Sequence, residues 1–230
     1  MCGRKTLTKN MTSIIEEIDA DEWAENYEPS YNIAPSQYSP IAININDKRI
    51  IKNMTWGLIP SWSKNKIVGQ KMINARSETI LDKPSFQGLM KSNRCIVIAD
   101  GYFEWNNQNG IGQPYYIFHP EKKILPMAGL WTTWQSSKFN IIESYTIITT
   151  KPQKPIAHIH NRMPVIIENK MINEWINCEV NSLNSALNLL KPYPCKLSFY
   201  PVSNYINSPK NNSRECIRSI QDSMTLNLFK

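Results

Sequence analysis

Arg94-Cys95-Ile96-Val97-Ile98-Ala99-Asp100-Gly101-Tyr102-Phe103-Glu104-Trp105 decides the fold. The apolar run 94–99 is too short for a helix and rich in β-branched residues, so it predicts a buried strand. Asp100-Gly101 turns that strand into an aromatic second one. Working outward, 41–45 and 49–54 predict two strands joined by a turn at Asn46-Asp47. The stretches 114–119, 126–134 and 143–150 are further strands, rich in Tyr, Ile, Trp and Thr, and 196–202 is a late one. Helices are predicted over 12–27, 85–92, 169–178 and 182–190. The first has Thr12 or Ser13 as its cap and Glu28-Pro29 as its stop. The segment 31–37 is expected to be an irregular loop, because Pro35 and Pro40 bar a helix there. Many short strands and few long helices give an α+β class: a single domain over 1–230 with a curled, mainly antiparallel, barrel-like sheet and peripheral helices. The tail after about residue 208 is weakly patterned.

The 230 residues are 41% hydrophobic and 20% charged, an ordinary globular balance. No apolar run is long enough to span a bilayer, and residues 1–10 lack the apolar core of a secretory signal. A cytoplasmic protein is expected. The net charge of +7 fits a polyanionic partner such as nucleic acid, and equally a basic surface kept for solubility. Five cysteines form no C-x-x-C and no zinc spacing, which fits reduced thiols.

Chemistry concentrates at four places. Cys2 follows the initiator methionine. If Met1 is trimmed, Cys2 carries a free α-amine, which titrates near ~7.7–8.0, beside its thiol. Such an amine attacks an aldehyde to give a Schiff base, and the thiol can close onto the imine carbon as a thiazolidine ring. Taken alone, Cys2 is also what chance can place behind a start codon. Gly3 allows close approach, and Arg4 adds a phosphate-binding fork. In 72–77, an extended chain would put Asn74 and Arg76 on one face, suited to a sugar-phosphate or, read blandly, to a turn and a surface. Glu104 is the one acid in an aromatic run, where desolvation would raise its pKa toward neutrality; the alternative is a strand-edge residue facing water. His158-Ile159-His160 could suggest a metal, but no third ligand is evident, and no metal or cofactor is expected. His160 beside Arg162 reads instead as a catalytic imidazole next to a phosphate-gripping guanidinium, or as a structural histidine. Trp56 is expected in the core, and Trp62 as a surface platform for a stacked base.

Taken in order, several stretches resemble one family. They are Cys2-Gly3-Arg4, Tyr31-Asn32-Ile33-Ala34-Pro35, Trp56-Gly57-Leu58-Ile59-Pro60-Ser61-Trp62 and Asn74-Ala75-Arg76-Ser77-Glu78-Thr79. Arg94-Cys95, Ala99-Asp100-Gly101-Tyr102-Phe103-Glu104-Trp105 and Ala128-Gly129-Leu130-Trp131 continue the set. His160-Asn161-Arg162-Met163-Pro164 and Pro201-Val202-Ser203 with Asn207 complete it. Together they resemble the SRAP family, the SOS-response-associated peptidases that process abasic sites in DNA.

The resemblance implies the SRAP fold and a covalent thiazolidine cross-link between Cys2 and the ring-opened abasic sugar of single-stranded DNA. It implies Asn74 to orient Cys2 or the sugar, Glu104 to move the ring-opening proton, and His160 to assist the Schiff-base steps. Arg4, Arg76, Arg162, Trp62 and Thr149 would contact DNA. The peptidase label would mean autoproteolytic removal of whatever precedes Cys2. A monomer near replication forks, meeting single-strand/double-strand junctions in the nucleoid, completes the expectation. Lys151-Pro152 depart from the small residue and amide expected there. Two other readings compete: a thiol hydrolase using Cys2, His160 and Glu104, and a non-catalytic single-strand binding module.

Overall fold

In the computed structural model, which describes residues 2–23, 25–107, 110, 112–137 and 140–221, the 94–105 run forms two strands that belong to different sheets. The expectations about Met1 and about the last residues of the tail lie outside the described residues. Strands are β1 (Arg4–Leu7), β2 (Glu22–Trp23), β3 (Ser30–Ile33), β4 (Tyr38–Ile45), β5 (Lys48–Trp56) and β6 (Asn74–Arg76). They continue as β7 (Arg94–Ala99), β8 (Gly101–Asn106), β9 (Gln113–Phe118), β10 (Leu125–Ser137), β11 (Asn140–Thr150), β12 (Met163–Pro164) and β13 (Ser198–Pro201).

One sheet runs β13-β9-β8-β1-β3 and the other β12-β11-β10-β7-β4-β5-β2. In the second, β11 also pairs in parallel with β5 through Ser144↔Thr55 and Tyr145↔Trp56. That pairing closes β5, β4, β7, β10 and β11 into a ring, which removes most of the free edge. The fully buried Trp56 and Tyr145 rings lie stacked at the seam, 6.4 Å apart. Gly57 follows at φ 128°, and a Cβ there would meet the Gly69 carbonyl oxygen at 2.6 Å, so the seam requires glycine. The β4–β5 hairpin turns where expected: Asn46 and Asp47 both take positive φ, as a two-residue hairpin needs. Pro40 is tolerated in β4 because pairing with β7 begins one residue later, at Ile41.

Asp100 is the corner between the sheets. Its carboxylate accepts from the Thr6 hydroxyl and, at 2.6 Å each, from the Thr8 amide and hydroxyl. It thereby pins β1 beside β8, in the register Arg4↔Phe103 and Lys5↔Tyr102. At Gly101 an added Cβ would lie 2.4 Å from the Tyr116 ring, whose hydroxyl bonds Thr6. Gly101→Ala should therefore lower stability by about 1–3 kcal/mol, the cost of overpacking; a urea midpoint equal to wild type would contradict this packing.

Two expectations need correction. The helix predicted over 12–27 is only α1 (Met11–Ile18), capped by Asn10, whose Oδ1 accepts from the Ser13 amide at 2.8 Å. Asp19 takes a left-handed conformation and stops it, long before Glu28-Pro29. The chain then lays β2 beside β5. Of the loop expected over 31–37, residues 31–33 belong instead to β3, because pairing with β1 outweighs the local sequence, while 34–37 are irregular chain and turn as expected. The other helices are shorter than expected: Pro84–Gln87, Leu89–Ser92, Ile172–Ile176 and Leu183–Asn188. No helix among the described residues is long and apolar enough to cross a membrane.

Candidate active site

The β1–β8 pairing carries the N-terminal stretch to Glu104. Continuing the register back from Arg4↔Phe103 places residues 2 and 3 alongside Glu104 and Trp105. Cys2 is fully buried in the whole chain and belongs to the main core. From the other sheet, β6 comes in parallel to β11 and brings Asn74, whose Nδ2 donates to the Cys2 carbonyl oxygen at 2.9 Å. Asn74 and Arg76 do share a face, with the buried Ala75 between them pointing the other way.

Glu104 is 2% exposed, and burial lifts its carboxyl to about 7. His160 stands beside it, Nδ1 to Oε1 at 3.9 Å. Its Nδ1 accepts the Arg162 amide at 3.0 Å, so the ring in this geometry carries its proton on Nε2. Burial lowers the His160 pKa, which favours the neutral ring. Burial, and then the Glu104 charge, push the Cys2 thiol up from its ordinary value, so a resting thiolate is disfavoured. Cys2, Asn74, Glu104 and His160 thus converge from four separate stretches of chain.

The cation set is arranged differently from the sequence expectation. Arg4 is half-buried and donates to the Gly3 carbonyl at 3.0 Å and to the Asn207 carbonyl at 3.4 Å. Arg76 is exposed. Arg162 makes a two-pronged pair with Glu78, at 2.8 and 2.9 Å, and also donates to the Thr149 carbonyl. Any phosphate reaching Arg162 has to share it with that carboxylate. Thr149 is a correction: it is fully buried between β6 and β12, its hydroxyl 3.4 Å from the Ala75 carbonyl, so it offers no surface to DNA. It supports Arg162 instead. Trp62 is 65% exposed, as a stacking platform requires, whereas Trp56 is core. His158 turns away from His160 and packs against the Tyr115 and Phe199 rings. Among the described residues no group of three metal-ligating side chains occurs.

Three contributors were missed. Glu78 lies inside a quoted motif, yet only the 3₁₀ turn Ser77–Thr79 aims it at Arg162. Asn207 accepts from the Trp105 indole at 2.9 Å through its side chain and from Arg4 through its backbone. Lys5 is fully buried, donates to the Ile98 carbonyl at 2.9 Å and to Ser39, and burial lowers it to about 7. A lysine four residues after a start codon gave no signal of burial.

The family model for SOS response associated peptidase (SRAP) matches residues 1–209. The chain belongs to the SRAP family. Among its SRAP relatives is the abasic site processing protein YoqW of Bacillus subtilis, 40% identical over 223 residues, covering 95% of this chain and all of YoqW. The abasic site processing protein HMCES of Gallus gallus is 32% identical, covering 87% of this chain and 69% of that protein. A crystal structure of a Bacteroides thetaiotaomicron protein superposes with a TM-score of 0.79 at 27% identity, covering 95% of this chain and 99% of the other. The α+β SRAP fold expected from the sequence, mainly antiparallel with few helices, is therefore present, with its strands divided between two sheets.

Proposed function

We propose that this protein recognises abasic sites in single-stranded DNA and links itself to them through Cys2. The observation that carries the reading is the convergence of the buried Cys2 and Glu104 with the partly buried Asn74 and His160. The names of its relatives support the substrate. Loss of Met1 frees the Cys2 amine, either by trimming or by attack of the Cys2 thiol on the preceding carbonyl, which breaks the amide to leave a thioester that water hydrolyses, the peptidase reaction of the family name. Glu104, protonated below about 7, donates to the ring oxygen of the closed sugar; the ring C–O bond breaks and the anomeric hydroxyl gives its proton to water, leaving the open aldehyde. The amine adds to the aldehyde carbon and water leaves, giving the imine. The sulfur then bonds to that carbon while the thiol proton passes to the imine nitrogen, closing the thiazolidine. His160, neutral and beside Glu104, relays protons in these steps. Asn74 fixes the Cys2 backbone so that amine and aldehyde meet as neighbours. Arg4, Arg76 and Arg162 hold phosphates, and the exposed Trp62 stacks a base. The protein acts as a monomer.

The thiol-hydrolase alternative needs a thiolate, which the burial of Cys2 disfavours. Blocking the amine separates the two readings. Protein acetylated at the Cys2 amine should give no denaturant-resistant band with abasic single-stranded DNA, while the unblocked protein gives one. A band of equal yield from the acetylated protein would sink the proposal. A purely non-covalent binder would give no band from either form.

A further inference from the structure

A second concavity has none of Cys2, Asn74, Glu104 and His160 in its lining. It is a cleft of about 960 Å³, at the upper end of the range for small-ligand sites. Its floor is the opposite face of the five-stranded sheet. Glu104 pairs with Tyr115 across β8 and β9, so Tyr116 and Phe118 alternate relative to one another by two and Tyr116 points away from Glu104. Tyr200 pairs with Tyr116 from β13 and shares that outer face. The Tyr116 and Phe118 rings stack at 5.2 Å, and Tyr200 meets Phe118 edge-on at 5.4 Å.

Cations stand on the walls. Lys9 is paired with Glu17, and Arg218 with Glu215. Lys122 and Arg214 line the cleft with no carboxylate at ion-pair distance among the described residues. The buried Asp100 at the floor is already satisfied by Thr6 and Thr8. The half-buried Phe118 and Tyr200 rings, backed by the buried Tyr116 and with Lys122 and Arg214 beside them, are the chemistry of a base-and-phosphate unit. One short segment of chain touches both places: Asn207 accepts from Arg4 at its start, and Arg214 lines the cleft at its end.

We propose that this cleft is a second single-stranded DNA site, which seats nucleotides of the strand away from the lesion. It rests on the DNA reading above but not on the cross-linking chemistry. The test uses the full chain, the double variant Lys122→Glu/Arg214→Glu, and Phe118→Leu, which keeps apolar volume but removes the ring. Undamaged oligo-dT is titrated by anisotropy at two lengths, about 30 and about 8 nucleotides, the shorter being within the footprint of one site. Both variants should bind the long strand about 10-fold more weakly, and the double variant should lose about 1.4 from its salt slope, 0.7 for each phosphate contact. Their binding of the short strand, and their cross-linking yield on a short abasic strand, should equal wild type. Unchanged long-strand affinity in both variants would overturn the proposal. So would an equal loss on the short strand, or tight binding of free dTMP that leaves strand affinity untouched. Failure of the wild type to cross-link the short abasic strand would strike the proposed chemistry and leave the length comparison readable.

Discussion

Cys2→Ala should lose the denaturant-resistant adduct with abasic single-stranded DNA by at least about 100-fold, since the intramolecular ring closure is what makes the product stable. The loss should not extend to the first bond. Alanine at the same place keeps an α-amine titrating near ~7.7–8.0, so it still forms an imine with the aldehyde. Borohydride reduction during the incubation should therefore restore a covalent band for Cys2→Ala. Asn74 holds the backbone carbonyl of residue 2, not its side chain, so the amine of the variant remains in place. A stable band from Cys2→Ala without reductant would show that sulfur plays no part. The absence of a band even with reductant would show that the amine does not reach the aldehyde.

Glu104→Gln should slow cross-linking by about 100-fold, the lower end of what general acid–base catalysis contributes. Its pH profile is the more telling readout. The wild-type rate needs Glu104 protonated, which fails above about 7, and the Cys2 amine neutral, which fails below ~8. The product of these two fractions gives a bell with its maximum between them. The variant should lose the alkaline limb and rise to a plateau as the amine deprotonates. Stability should move the other way. Burial raises the Glu104 pKa from its ordinary 4.5 to about 7, so the fold favours the protonated acid. Stability linked to this group is complete below about 4.5 and is lost as pH rises through about 7, a swing of about 3 kcal/mol. Glutamine does not ionise, so the variant should gain on wild type in melting experiments between pH 5 and about 8. An identical bell in the two proteins would remove Glu104 from the mechanism.

These two residues also mark how much the sequence disclosed. Glu104 was legible because a carboxyl set among Tyr102, Phe103 and Trp105 has few ways to reach water, and it is buried. The hairpin at Asn46-Asp47 and the run 94–99 were legible because composition and turn chemistry agree there. The extent of α1 was not, because the left-handed Asp19 leaves the apolar spacing of 12–27 unchanged. Strand β3 was not, because its partner β1 is distant in sequence and its own residues include turn formers. The burial of Thr149 was not legible either, because two flanking strands from elsewhere in the chain enclose it. The sequence points to Arg162 as a phosphate clamp but gives no sign of the ion pair, spanning 84 positions, that joins it to Glu78. Long-range pairing of this kind has no local signature.

The most direct test is the intact mass of the protein after incubation with an abasic oligonucleotide and no reductant. The account requires one species that lacks Met1 and carries the oligonucleotide less one water, with its Cys2 sulfur closed to alkylation. An adduct that retains Met1, or one in which Cys2 still alkylates, would contradict it.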